Sequence, residues 1–140
     1  MKINELRVSN LVYPNEENAT PYKVMQIFEE SVLFYQSEKV YEDDVIIGCD
    51  DLIPIPLTEE WLIKFGFEKI ICDEHPFIHF IIKGIFRIDF HPNNGFEFNC
   101  YGHPYDQYVE ENFFSFKALH IHQLQNLFYA LTGEELKTTL

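Results

Sequence analysis

The residues best suited to metal or acid–base chemistry are six histidines and a large excess of carboxylates, 23 Asp and Glu against 10 Lys and Arg. His75 and His79 flank Pro76, which argues against a helix there. Four residues along a strand cover about 13 Å, too far for one ion. His120 and His122 share a face only in extended chain, and the sequence near them offers no carboxylate or thiolate to complete a site. The expectation is therefore no bound metal and a structural or surface role for these rings. A metal-dependent hydrolase built from His75, His79, His91 or Asp89 is the least favoured reading.

Asp89 and Glu97 come nearest to the paired acids of a metal-dependent nuclease. The second position after Glu97 is Asn99, with no lysine to complete the set that positions metal and water. Simple strand alternation accounts for both acids as solvent-facing residues on neighbouring strands. Cys49, Cys72 and Cys100 each lie in an apolar stretch, where cysteine behaves as a small buried hydrophobe. Cys100 and His103 lack an orienting third group. The sequence has no Gly-x-Ser-x-Gly, phosphate loop or dinucleotide fingerprint. These observations point away from catalysis and imply no cofactor.

What remains is charge. Glu38, Glu42, Asp43, Asp44, Asp50 and Asp51 place six carboxylates in fourteen residues with only Lys39 opposing them. Such a run keeps a protein soluble. It also suits a basic groove, where it raises association rate and specificity more than affinity. Tyr35, Tyr41 and Ile46-Ile47 supply the apolar anchors an interface needs. A second candidate surface is the Tyr-rich stretch with Tyr101, Tyr105, Asp106 and Tyr108, suited to self-association.

The formal net charge is −13, and residues 1–60 hold thirteen Asp/Glu against four Lys/Arg. A polyanion gains nothing from counterion release on a phosphate backbone, so direct nucleic-acid binding is not expected; a basic protein surface is the natural partner. Three well-separated cysteines, no secretory leader pattern and no apolar run of spanning length imply reduced thiols, a cytoplasmic location and no membrane association.

Short strand patterns at Leu11–Tyr13, Tyr22–Phe28, Val32–Tyr35 and Val45–Ile47 predict a small curled antiparallel sheet or barrel. Pro54 and Pro56 make the next segment an edge strand or connector. Thr58 is a good N-cap for a helix of barely two turns, with Gly66 as its left-handed stop and Trp61, Leu62 and Phe65 as its apolar stripe. Further strands are predicted over Glu68–Asp73, Phe77–Ile82, Gly84–Phe90, Gly95–Cys100 and Phe113–Ile121, with Asn94-Gly95 the strongest hairpin signal. Leu124, Leu127, Phe128 and Leu131 then recur as one stripe of a helix ended by Gly133. The fold class is α+β, mainly antiparallel β with two short helices, the C-terminal one packed on sheet. Its 140 residues fit one compact domain with two lobes: 1–57, and 58–140 carrying the short helix, a second sheet and the terminal helix. Trp61 and Phe65 are expected at the hinge.

The segment Asp51-Leu52-x-Pro54-Ile55-Pro56-Leu57-Thr58-Glu59-Glu60-Trp61-Leu62, with Lys64-Phe65-Gly66-Phe67, resembles small uncharacterised proteins of Bacteroidetes, their phages and mobile elements. So does His122-Gln123-Leu124-Gln125-Asn126-Leu127 with Ala130-Leu131-Thr132-Gly133-Glu134-Glu135-Leu136. The resemblance covers about a quarter of the chain and implies scaffold rather than chemistry. Small acidic proteins of that origin often antagonise host defence. What the resemblance implies is a non-catalytic interaction module, such as an anti-CRISPR inhibitor of an RNA-guided nuclease, or a structural or regulatory accessory protein acting by self-association.

Overall fold

The computed structural model describes residues 1–14, 20–35, 44–71, 78–82, 86–91, 95–99, 115–116 and 118–138. It divides into two compact units, Met1–Pro56 with His120–Glu135, and Leu57–Leu119 with Leu136–Leu140. Each carries a five-stranded antiparallel sheet, so the α+β class expected from sequence holds.

In the first unit the strands are β1 (Leu11–Pro14), β2 (Tyr22–Ile27), β3 (Ser31–Tyr35), β4 (Asp44–Gly48) and β5 (Leu52–Ile53), in the spatial order β4-β3-β2-β1-β5. The order is open rather than closed into a barrel, and β4 and β5 lie at its two ends. Val12, Val24, Val32, Phe34 and Ile47 are buried with Leu6 and Leu52. The pairings Val12↔Tyr22, Val24↔Phe34 and Val32↔Ile47 put these residues on one face of the sheet, as period-two alternation requires. Tyr22 meets Phe34 edge-on with ring centroids 5.7 Å apart.

The second unit opens with helix α1 (Glu59–Lys64). The Thr58 hydroxyl accepts from the Trp61 N–H at 3.4 Å. At the other end the Phe67 N–H donates to Leu62 and the Gly66 N–H to Ile63, with Gly66 at φ 85°. That is the paired closure a left-handed glycine allows. Leu62, Phe65 and Phe67 are buried, and Lys69 forms an ion pair with Glu59. Strands β6 (Glu68–Ile71), β7 (Ile78–Ile82), β8 (Phe86–His91), β9 (Gly95–Asn99) and β10 (Ser115–Phe116) follow as a meander, each paired with the next.

Helix α2 (Ile121–Thr132) corrects two expectations. It groups with the first unit rather than with residues 58–119. The side chains explain this: Gln125, Asn126 and Glu135 bond to residues 5–11, and the Ile121 N–H donates to the Ile55 carbonyl at 2.9 Å. Its buried face is also rotated from the predicted stripe. Ile121, His122, Leu124, Gln125 and Phe128 are buried, whereas Leu131 is exposed.

Gly133 ends α2 at φ 73°, its N–H donating to the Tyr129 carbonyl at 2.8 Å. A Cβ there would meet open space, so Gly133→Ala tests backbone conformation alone. Its expected cost is about 1 kcal/mol, read by urea denaturation. Gly133→Asn should lose less, and equal losses for the two would contradict a left-handed requirement.

Candidate functional site

At one end of the first sheet two turns converge. The β2–β3 turn carries Phe28, Glu29 and Glu30, all exposed; the 3₁₀ turn Cys49–Asp51 after β4 carries Asp50 and Asp51, also exposed. The Cys49 N–H donates to the Glu30 carbonyl at 3.0 Å, which holds the turns together. Four carboxylates are thereby gathered from two sequence segments. Apolar surface accompanies them, with Phe28 42% and Ile46 62% exposed. Exposed acids and two exposed apolar side chains thus share this end of the sheet.

Of the acidic residues singled out in the sequence, Asp50 and Asp51 belong to this patch, and Asp44 opens β4. Glu38, Tyr41, Glu42 and Asp43 lie outside the described residues, as do Tyr101, Tyr105, Asp106 and Tyr108. Phe28, Glu29 and Glu30 are additions from the structure. In sequence Phe28 reads as the end of a strand and Glu29 and Glu30 as the turn after it, and only the β3–β4 register brings that turn beside Asp50 and Asp51.

Cys49 is a buried free thiol. Burial raises its pKa, opposed by the N-terminal ammonium and reinforced by Asp50 and Glu30. A thiol held protonated is a poor nucleophile, so the acids around it do not make a reactive cysteine. The Met1 amino group donates to the Cys49 carbonyl at 3.3 Å.

The second sheet gathers a different set. Register places His79, Asp89 and Glu97 abreast on β7, β8 and β9. Asp89 is 7% exposed, which corrects the solvent-facing placement expected of it. Burying a carboxylate requires a partner, and Arg87, two residues earlier on β8, provides one. Its Nε meets Oδ1 at 2.5 Å and its Nη2 meets Oδ2 at 2.7 Å. Both oxygens are thereby engaged by a forked guanidinium. The side chains of His79, His91 and Glu97 lie outside the described residues, as does His75.

No family model, curated protein or solved structure matches the chain. The site is therefore read from its own geometry. Among the described residues no three His, Cys, Asp or Glu side chains cluster as metal ligands, and no helix is long and apolar enough to cross a membrane. His120 and His122 do approach each other, with near-parallel rings 5.7 Å apart. His122 is 1% exposed and neither ring nitrogen has a hydrogen-bond partner among the described residues. Its pKa is lowered to about 4, first by burial and then by the neighbouring His120. This ring is a neutral packing element.

Proposed function

We propose that this protein is a non-catalytic acidic interaction module that docks on a basic protein surface, acting as an inhibitor of a host-defence protein of the RNA-guided nuclease type. The observation that carries the reading is the joined patch of Glu29, Glu30, Asp50 and Asp51 around exposed Phe28 and Ile46, on a chain of net charge −13. RNA-guided nucleases hold their guide heteroduplex in strongly positive channels. An acidic patch with apolar anchors competes for such a channel by steering from a distance and by packing on contact. The resemblance of the two anchor segments to mobile-element proteins supports that class of target, and the commitment of Asp89 to Arg87 supports a role without catalysis.

Purified protein added to guide-loaded RNA-guided nucleases should suppress target cleavage. The double variant Asp50→Lys/Asp51→Lys is expected to weaken that inhibition by about tenfold, and added salt should weaken it further. Undiminished cleavage across the panel would sink the proposed target. Inhibition independent of both salt and charge reversal would sink the electrostatic mode.

A further inference from the structure

The acidic patch borders an unusual feature of the first sheet, the outer edge of β4. Among the described residues β4 pairs with β3 alone. Two hydrogen bonds fix which of its backbone groups face outward. The Cys49 N–H donates to the Glu30 carbonyl, and the Phe28 N–H donates to the Ser31 carbonyl. In an antiparallel ladder, bonded and non-bonded pairs alternate. The first bond makes Cys49 and Glu30 a bonded pair, so Ile47 with Val32 and Val45 with Phe34 are bonded pairs as well. The second bond turns Ser31 toward β2, which gives the same phase. The register from Gly48 to Asp44 has no bulge, so the N–H and C=O groups of Asp44, Ile46 and Gly48 point away from the sheet.

An exposed edge of this kind is a template for another strand. Natural edges are blunted by proline, bulges or a charged residue in mid-strand. β4 has none of these, and at its centre is Ile46, 62% exposed. Acids stand at both ends, Asp44 as the first residue of the strand and Asp50 and Asp51 just after it. Self-pairing of two copies would bring these like charges together, which disfavours a second copy as the occupant.

We propose that the outer edge of β4 receives an extended segment of a partner protein, basic at its ends and apolar at its centre, as an added strand of the first sheet. The inference rests on the acidic-module reading above and gives it a mode of recognition. Main-chain bonds to Asp44, Ile46 and Gly48 supply affinity, Ile46 selects an apolar side chain on its own face, and the flanking acids select Lys or Arg at either end.

The probe is a blocked heptapeptide with two lysines at each end and Thr-Val-Thr between. Its control has identical charge but N-methylated amides at alternate positions, which removes strand pairing. The first peptide should slow amide hydrogen exchange at Asp44, Ile46 and Gly48, and the control should bind about tenfold more weakly. Ile46→Pro removes one outward N–H while leaving the β3–β4 bonds intact. It should weaken the first peptide by a similar factor and leave the melting transition in place.

Equal binding of both peptides, unaffected by Ile46→Pro, overturns strand addition but keeps the electrostatic reading. Failure of the first peptide to bind at low salt overturns strand addition, and if Asp50→Lys/Asp51→Lys also leaves nuclease inhibition unchanged, the acidic-module reading falls with it. Protection of the same amides that grows with protein concentration in the absence of peptide assigns the edge to a second copy and overturns the proposal.

Discussion

Replacing Gln125 with leucine is expected to lower the stability of the first unit by about 2–6 kcal/mol, even though leucine nearly matches glutamine in size and is the better helix former. Gln125 is buried on α2, and its side chain serves two backbone groups at the start of β1. Its Oε1 accepts from the Leu11 N–H at 2.9 Å and its Nε2 donates to the Ser9 carbonyl at 3.3 Å. Leucine leaves both groups shielded by the helix without a partner, and each such group costs about 1–3 kcal/mol.

The surrounding network cannot absorb that loss. Asn10, fully buried, already accepts from the Arg7 N–H and donates to Asn126, and Asn126 donates onward to the Glu5 carbonyl. Ser9 sits at φ 76°, a left-handed position that a serine holds only when neighbouring bonds fix it. The measurement is urea denaturation followed by hydrogen exchange at Val24 and Phe34. Leu131→Gln, at an exposed position of the same helix, serves as the control and should stay within about 0.5 kcal/mol of the parent. If Gln125→Leu behaves like that control, the amide network is not what holds α2 to residues 5–11.

The same helix shows where sequence pattern is informative and where it stops. Sequence pattern placed eight of the ten strands with ends close to those observed, because a half-buried strand announces itself every second residue. β5 lies in the segment read as an edge strand or connector, and among the described residues β10, Ser115–Phe116, lies within the predicted Phe113–Ile121. Thr58 and Gly66 bracket α1 as predicted, since caps depend on local backbone chemistry.

Helix α2 was legible as a helix but not in its orientation. Hydrophobic spacing selects Leu124, Leu127, Phe128 and Leu131, whereas the buried face takes in His122 and Gln125 and leaves Leu131 outside. That rotation follows from the needs of Leu11 and Ser9, more than a hundred residues away, and no local window contains them. The acidic site divides in the same way. Asp50 and Asp51 were visible as part of a charge run, but Glu29 and Glu30 join them only through the register that sets Ser31 opposite Gly48. Asp89 was assigned to solvent by alternation. A carboxylate two residues from an arginine on the same strand face can be buried by that arginine, and spacing alone does not separate the two outcomes.

His122 is expected to give a large pH effect. It lies in the first turn of α2, stacked on His120 at 5.7 Å, with 1% of its surface exposed. Its two ring nitrogens lack hydrogen-bond partners among the described residues. Burial, the neighbouring His120 and the N-terminal ammonium all oppose a proton there, while Glu5 alone favours it, and the folded pKa falls to about 4 from an ordinary 6.5. The positive end of the helix dipole acts in the same direction.

Above pH 6.5 the ring is neutral in folded and unfolded chain alike and contributes no pH dependence. Between pH 6.5 and 4 the unfolded chain takes up a proton that the folded chain refuses, so stability falls with acidification. The total approaches about 3 kcal/mol near pH 4, at about 1.4 kcal/mol per pH unit, and levels off below it. His122→Phe keeps a flat ring on His120 and removes the titration. The difference in unfolding free energy between parent and variant isolates His122 from the carboxylates and the five other histidines. That difference should be small at pH 8, where the variant gains by no longer burying two unpaired nitrogens, and should widen in the variant's favour as the pH falls to 4. A gap that stays constant with pH would mean that water or Glu5 reaches the ring. The amide bonds from Asn10, Gln125 and Asn126 carry no charge to titrate, and the Arg7–Glu135 pair is common to parent and variant, so a widening gap would assign that share of the acid sensitivity to this single buried ring.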